Sequence, residues 1–266
     1  MTVCSDSVML LCQQLQQATP QELDLAMDSN IKLVRSEQSE FIEAEMYLRY
    51  ESACLKLFLR EGKQETSTFV NFADAKLNYR IRDKGKTQNI AKAVGLKSIS
   101  TPRVLDATTG MGKDAYLLAS MGCQLDMLER SAVIYRLLQD GFRRGESAVE
   151  EVRECLSRMH LSCADFFDLD IHQVRKAQKY DVVYLDPMFP VRGKNGKGAK
   201  VKKEIFALQK LLGHDDESLD WLGRARELAG KRIVVKRAKL SSFLNGEKPD
   251  IQFKGSSSRY DVYMMI

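Results

Sequence analysis

The feature that most constrains this chain is an alternation of strand-like and helix-like segments that starts near residue 102 and runs to the end. Val104-Leu105-Asp106 closes a first strand, Lys113 to Met121 reads as a helix, Gln124 to Glu129 as a strand and Ala132 to Arg144 as a helix. Five more strands follow at His160 to Ala164, Tyr180 to Asp186, Arg232 to Lys236, Ile251 to Lys254 and Arg259 to Met265. Helical stretches lie between them at 171–178, 202–212 and 217–229. Short apolar runs separated by helical periodicity are the pattern of a largely parallel sheet covered by helices on both faces. The expected architecture over 101–266 is therefore α/β, a Rossmann-like doubly wound sheet with ligands at the carboxyl ends of its strands.

A chain of 266 residues leaves room for a second, smaller unit. Residues 1–80 read as a small α+β domain, with a helix over 7–17 stopped by Thr19-Pro20 and strands at 46–50, 55–60, 68–72 and 77–81. A basic connector over 81–100 joins it to the rest.

The net charge of +5 is spread very unevenly. Three segments, 80–97, 191–203 and 231–240, hold 17 of the 41 Lys and Arg residues against a single acid, Asp83. The remainder carries 24 basic and 35 acidic side chains. An acidic body with concentrated basic strips predicts a polyanionic partner, and the expectation is that the strips gather at one rim. Arg192, Lys194, Lys197, Lys200, Lys202 and Lys203, with Lys236 and Arg237, are the candidate nucleic-acid contacts. No stretch approaches the roughly 20 apolar residues of a membrane span, and the N-terminus does not read as a secretory signal. A cytoplasmic protein with no membrane partner is expected. The six cysteines form no C-x-x-C pair and the three histidines make no ligand spacing with them, so reduced thiols and no metal are expected.

The segment from Val104 to Ala115 is a strand, a glycine turn and a helix start. Gly110 and Gly112 let the backbone pass close to a ligand, and the helix N-terminus offers unpaired N–H groups. Glu129 ends the next strand, where an acid accepts both hydrogen bonds of a ribose diol. Two cofactors fit. Gly110-x-Gly112-x-x-Ala115 matches the dinucleotide fingerprint, which makes a nicotinamide-dependent oxidoreductase an alternative. Asp106 and Asp114, however, would repel a pyrophosphate and suit the cationic amino-acid end of S-adenosylmethionine. Asp165, after the third strand, either accepts from an adenine amino group or caps the helix that follows.

The fourth strand runs into Asp186-Pro187-Met188-Phe189-Pro190. Pro187 fixes φ and removes a donor, so the turn is stiff and presents the Asp186 side chain. Amino-methyltransferases carry an Asn/Asp-Pro-Pro-aromatic turn at this place. Acceptors that grip the hydrogens of an exocyclic base amine orient its lone pair, and Phe189 would stack on the base, worth ~1–3 kcal/mol. Reaching such a base requires an unstacked or single-stranded nucleotide. A third reading is an RNA-binding assembly factor that keeps the cofactor fold without turnover.

Asp106-Ala-Thr-Thr-Gly-Met-Gly-Lys-Asp114, Met127-Leu-Glu-Arg130, Val183-Tyr-Leu-Asp-Pro-Met-Phe-Pro190, Val201-Lys-Lys-Glu204, Val234-Val-Lys-Arg237 and the run Ala91 to Lys97 resemble the ribosomal RNA small subunit methyltransferase J family. The resemblance covers about residues 68–266. It implies a class I methyltransferase fold and transfer of a methyl group from S-adenosylmethionine to the N2 amine of a guanosine in small-subunit (16S) ribosomal RNA, free or within the 30S subunit. By the same resemblance the donor would contact Lys113, Asp114, Glu129, Arg130, Ala164, Asp165 and Asp186. Met188 belongs to the family's own form of the turn, whereas Lys113 stands where the family carries Arg, a change that keeps the charge but not the bidentate fork.

Overall fold

The computed structural model describes Val8–Leu11, Ile31–Val34 and residues 45–74, 88–172, 178–188 and 215–265. Two compact units emerge. Among the described residues no helix is long and apolar enough to cross a membrane.

The first unit holds a five-stranded sheet of β1 (Val8–Leu11), β2 (Ile31–Val34), β3 (Met46–Glu51), β4 (Cys54–Glu61) and β5 (Gln64–Thr68), in the order β2-β1-β3-β4-β5. β1 is parallel to both of its neighbours, and β3, β4 and β5 form an antiparallel meander. The helix expected over 7–17 is not present at Val8–Leu11, which is a strand, and the strand expected at 68–72 ends at Thr68. The strand expected at 77–81 lies outside the described residues. Ser131–Arg144 belongs to this unit. There the buried Asp140 carboxylate accepts from the Leu55 N–H at 3.0 Å and pairs with Arg143 and Arg144, each at 2.7 Å.

The second unit is built on β6 (Arg103–Asp106), β7 (Gln124–Glu129), β8 (Met159–Cys163), β9 (Tyr180–Leu185), β10 (Ala229–Ala238), β11 (Ile251–Lys254) and β12 (Ser258–Met264). Their order is β11-β12-β10-β9-β6-β7-β8. The five strands from β8 to β10 across the sheet are parallel, and β12 and β11 close one edge antiparallel. After β6 the chain steps outward to β7 and β8, then returns to the other side of β6 for β9 and β10. The strand order therefore reverses between β6 and β9, and a crevice opens at their carboxyl ends.

Among the described residues the α-helices are α1 (Asn89–Val94), α2 (Lys113–Ser120), α3 (Ala132–Gly145), α4 (Glu150–Leu156) and α5 (Trp221–Leu228), of which α3 up to Arg144 belongs to the first unit. α1 falls inside the stretch read as a connector and packs on β11 and β12, with the Asn89 amide donating to the Lys254 carbonyl at 3.1 Å. One face of the sheet buries Leu105, Val183, Leu185, Ile233 and Val235 against Trp221, Leu222 and Leu228 of α5. The helix expected at 202–212 lies outside the described residues.

Candidate functional site

The site is assembled at the carboxyl ends of β6, β7 and β9 from residues far apart in sequence. β6 ends at Asp106, and the chain turns sharply before α2. Gly110 and Gly112 have φ of +55° and +70°, a left-handed conformation that glycine adopts without strain. The turn is tied to its neighbours on both sides. The Ala107 N–H donates to the Tyr184 carbonyl of β9 at 3.0 Å, and the Thr109 N–H to the Leu128 carbonyl of β7 at 3.1 Å. The Gly110 N–H donates to Glu129 Oε2 at 2.9 Å, so the expected ribose acceptor is fixed by the same glycine turn. A Cβ added at Gly110 would meet nothing within 4 Å, so open space lies beside this backbone.

Asp106 is 1% exposed, and its carboxyl accepts from the Thr108 N–H at 3.3 Å. Burial, with the charge of Asp114 added to it, pushes its pKa up from 3.8 to about 8. Beside it lies a cluster of charged side chains. Lys236 Nζ, on β10, donates to Asp186 Oδ2 at 2.7 Å and to Asp114 Oδ2 at 2.8 Å. The Tyr184 hydroxyl donates to the same Asp114 oxygen at 2.7 Å. Burial pushes the Asp186 carboxyl above the usual carboxylate range, and the Lys236 ammonium opposes that rise. Burial also disfavours the Lys236 charge, but Asp186 and Asp114 together outweigh it and hold the ammonium well above the ordinary lysine value. Tyr184, buried and next to Asp114, is held well above the ordinary tyrosine value and remains a donor.

The turn after β9 is fastened through its backbone. The Asp186 N–H donates to Thr108 Oγ1 at 2.6 Å, Pro187 is buried, and Met188 exchanges main-chain and side-chain hydrogen bonds with Asp215. Arg130, immediately after Glu129, lies 3.0 Å from Asp215 and 3.9 Å from Asp165. Ala164 donates its N–H to the Glu129 carbonyl at 3.2 Å. Asp165 caps a turn instead of the expected helix, accepting from the Phe167 N–H at 2.8 Å. The loop it opens is braced by Trp221, which stacks on Phe166 at 5.8 Å between ring centroids and meets Phe167 edge-on at 4.9 Å.

Asp106, Gly110, Gly112, Asp114, Glu129, Arg130, Asp165 and Asp186 thus converge on one crevice. Lys113 is exposed at the first position of α2. Two expectations change. Lys236 does not stand free for phosphate, because it bridges two carboxylates. Arg237 is only 8% exposed, and its Nε donates to the Ser242 carbonyl at 3.3 Å. Nor does the basic segment 231–240 gather at one rim. It runs the length of β10, with Lys231 paired to Asp181 at the opening of β9, at the other end of the sheet. Phe189, Arg192, Lys194, Lys197, Lys200, Lys202 and Lys203 lie outside the described residues. Lys236 as a bridge, Asp215 and Tyr184 are the site residues that sequence reasoning did not find.

A doubly wound sheet with a buried acid, a glycine turn and an acid at the end of the next strand beside an Asp-Pro turn defines a class I S-adenosylmethionine-dependent methyltransferase. Residues 16–265 match the family model described as "Putative SAM-dependent methyltransferase". Proteins named ribosomal RNA small subunit methyltransferase J are similar throughout. The one from Cellvibrio japonicus is 38% identical over 90% of this chain and 91% of its own, and the one from Pseudoalteromonas atlantica 45% identical over 74% and 76%. The crystal structure of a SAM-dependent methyltransferase from Neisseria gonorrhoeae superposes with a TM-score of 0.72 at 31% identity, covering 96% of this chain and 95% of that one. The chain belongs to the ribosomal RNA small subunit methyltransferase J family of SAM-dependent methyltransferases. It is an enzyme, its cofactor is S-adenosylmethionine, and the nicotinamide and non-catalytic alternatives are not supported.

The crevice suits that cofactor. The carboxyl groups of Asp106 and Asp114 would suit a cationic amino acid, the Glu129 carboxylate would suit a ribose, and open space is left beside the Gly110 backbone.

Proposed function

We propose that this enzyme methylates the exocyclic N2 amine of a guanosine in small-subunit ribosomal RNA, in the cytoplasm, with Asp186 as the residue that grips the amine. The names of the relatives support the RNA, and one observation carries the chemistry. Asp186 stands at the carboxyl end of β9 with one oxygen held by Lys236 at 2.7 Å, while 40% of its side chain stays open. A half-buried carboxylate that keeps an open side and a fixed orientation can accept a hydrogen bond from an amine without reorganising, which is the condition for positioning and electrostatic catalysis.

S-adenosylmethionine supplies, when bound, an electrophilic methyl group on a sulfonium sulfur. Glu129 would hold its ribose hydroxyls, Asp165 its adenine, and Asp106 and Asp114 the region of its ammonium. Asp186 accepts one N–H of the guanine amine, which aims the nitrogen lone pair into the crevice. Once the methyl group had passed from the sulfonium sulfur to that nitrogen, the Asp186 carboxylate or water would take the proton the nitrogen sheds. Phe189 would stack on the base. Arg192, Lys194, Lys197, Lys200, Lys202 and Lys203 would hold phosphates, in keeping with a cation strip that follows the Asp-Pro turn directly.

The test is methyl incorporation into undermethylated small-subunit RNA by wild type and Asp186→Ala, with donor affinity measured by calorimetry. Transfer is expected to fall at least a hundredfold while donor binding stays within a few-fold. Retained activity in the variant would overturn the assignment.

A further inference from the structure

The Asp186-Pro187-Met188 turn has little to hold itself in place. Pro187 lacks an N–H, and the Asp186 N–H is spent on Thr108 at one end. The other end is held by a residue 27 positions on. The Asp215 N–H donates to the Met188 carbonyl at 2.9 Å, and Asp215 Oδ2 accepts the Met188 N–H at 2.5 Å. The second carboxylate oxygen lies 3.0 Å from Arg130 Nη2. The Asp215 side chain is 11% exposed, so its bond to the Met188 N–H is shielded from water, while its pair with the more open Arg130 is partly solvated.

The sheet order gives this clasp its meaning. Arg130 follows β7 and Met188 follows β9, and β6 with its glycine turn lies between them. At about 4.8 Å per strand the two ends are roughly 10 Å apart. The chain Met188–Asp215–Arg130 spans that gap, across the carboxyl end of β6 where the donor is expected. Arg130 also reaches toward Asp165 at 3.9 Å, on the adenine side.

We propose that Asp215 is a positioning residue that fixes the methyl-accepting turn through Met188 and, through Arg130, ties the turn's position to the nucleoside side of the donor crevice. The inference deepens the function proposed above and rests on it. Asp215 touches neither the base nor the reacting atoms. Its effect is on where Asp186 points.

The test compares Asp215→Ala, Asp215→Asn, Arg130→Ala and the double variant Arg130→Ala/Asp215→Asn. Asp215→Ala should lower kcat at least tenfold with the KM for RNA changed less than threefold. Asp215→Asn keeps an acceptor for the Met188 N–H but loses the charge facing Arg130, so it should recover part of that loss. Arg130→Ala should lower kcat about as much as Asp215→Asn, and combining the two should lower it no further. Wild-type kcat in Asp215→Ala, no recovery in Asp215→Asn, or fully additive losses would each overturn the proposal. Exchange of the Met188 amide hydrogen, followed by NMR in the RNA-free protein, separates this inference from the substrate assignment. An unmethylated RNA with wild type, together with faster Met188 exchange in Asp215→Ala, would refute the substrate and leave the clasp standing. Unchanged exchange would refute the clasp.

Discussion

Replacing Lys236 with Met removes one ammonium and leaves two carboxylates facing each other. Lys236 Nζ is 2.7 Å from Asp186 and 2.8 Å from Asp114. At an effective dielectric near 20, each pair has a gross attraction of about 6 kcal/mol, most of it offset by desolvation. Breaking a fully buried pair by deleting one partner costs about 3–5 kcal/mol, and losing an exposed pair at most about 1. The side chains here are 28%, 23% and 40% exposed for Lys236, Asp114 and Asp186, so the loss falls between these limits, at about 2 kcal/mol. Without the ammonium, burial and the Asp114 charge act on Asp186 unopposed, so the Asp186 carboxyl should titrate higher in Lys236→Met. In the proposed mechanism Asp186 acts ionised, so the acid limb of the kcat/KM profile for RNA methylation reports it. The sign is fixed by the geometry: losing the cation moves that limb upward. Activity of the variant at neutral pH should fall about tenfold and recover as the pH is raised through the new limb. A limb that stays in place, or a loss that is the same at every pH, would refute the view that Lys236 keeps Asp186 charged.

The raised Asp106 carboxyl gives a second pH dependence. Its proton is retained in the folded protein up to about pH 8 but is lost near 3.8 when unfolded, so its contribution to stability is complete below the lower value and vanishes as pH rises through about 8. Asp106→Asn should therefore lose less melting temperature than wild type between pH 6 and 9, as followed by calorimetric scans of the donor-free proteins. A cationic donor favours the ionised form, so donor binding at pH 7 should release close to one proton, read from titrations in buffers of different ionisation enthalpy, and Asp106→Asn should release none. Neutralising Lys200, Lys202 and Lys203 together should weaken RNA binding and flatten its dependence on salt concentration, as a filter-binding series at increasing salt would show.

The sheet of the larger unit was legible because doubly wound strands are short, apolar and separated by helices long enough to show their period. Gln124–Glu129 and Ile251–Lys254 have the bounds that the sequence predicts. The smaller unit was less legible for a reason visible at Val8–Leu11. Four apolar residues in a row have no period to distinguish helix from strand, and here parallel pairing with both Ile31–Val34 and β3 decides for strand. The turn between β3 and β4 shows the same limit. Ser52 and Ala53 both adopt positive φ, at 53° and 58°, where hairpins usually advertise themselves by Asn-Gly. The partnership of Ser131–Arg144 with the first unit is also tertiary: nothing local announces that Asp140 will accept the Leu55 N–H 85 residues earlier.

The site divides along the same physical line. Asp106, Glu129 and Asp186 could be read because each ends a strand, and the fold sends every such end to one edge of the sheet. Lys236 could not, although it was noticed, because a run of cations reads as a surface strip only if the segment is a loop. Segment 231–240 is mostly a strand, and a strand separates neighbours by face and by length. Lys231 is left at the far end with Asp181, Arg237 is turned into the interior, and Lys236 alone is delivered to the crevice. There it meets Asp186 and Asp114, 50 and 122 residues away. The charge that looked like one of many for binding phosphate is spent inside the protein. The two carboxylates it joins come from the first turn of α2 and from the Asp-Pro turn after β9. Lys236 can hold both only when β10 is in register with β9, with Val235 opposite Leu185. The catalytic geometry therefore depends on the pairing of those strands as much as on the turn itself.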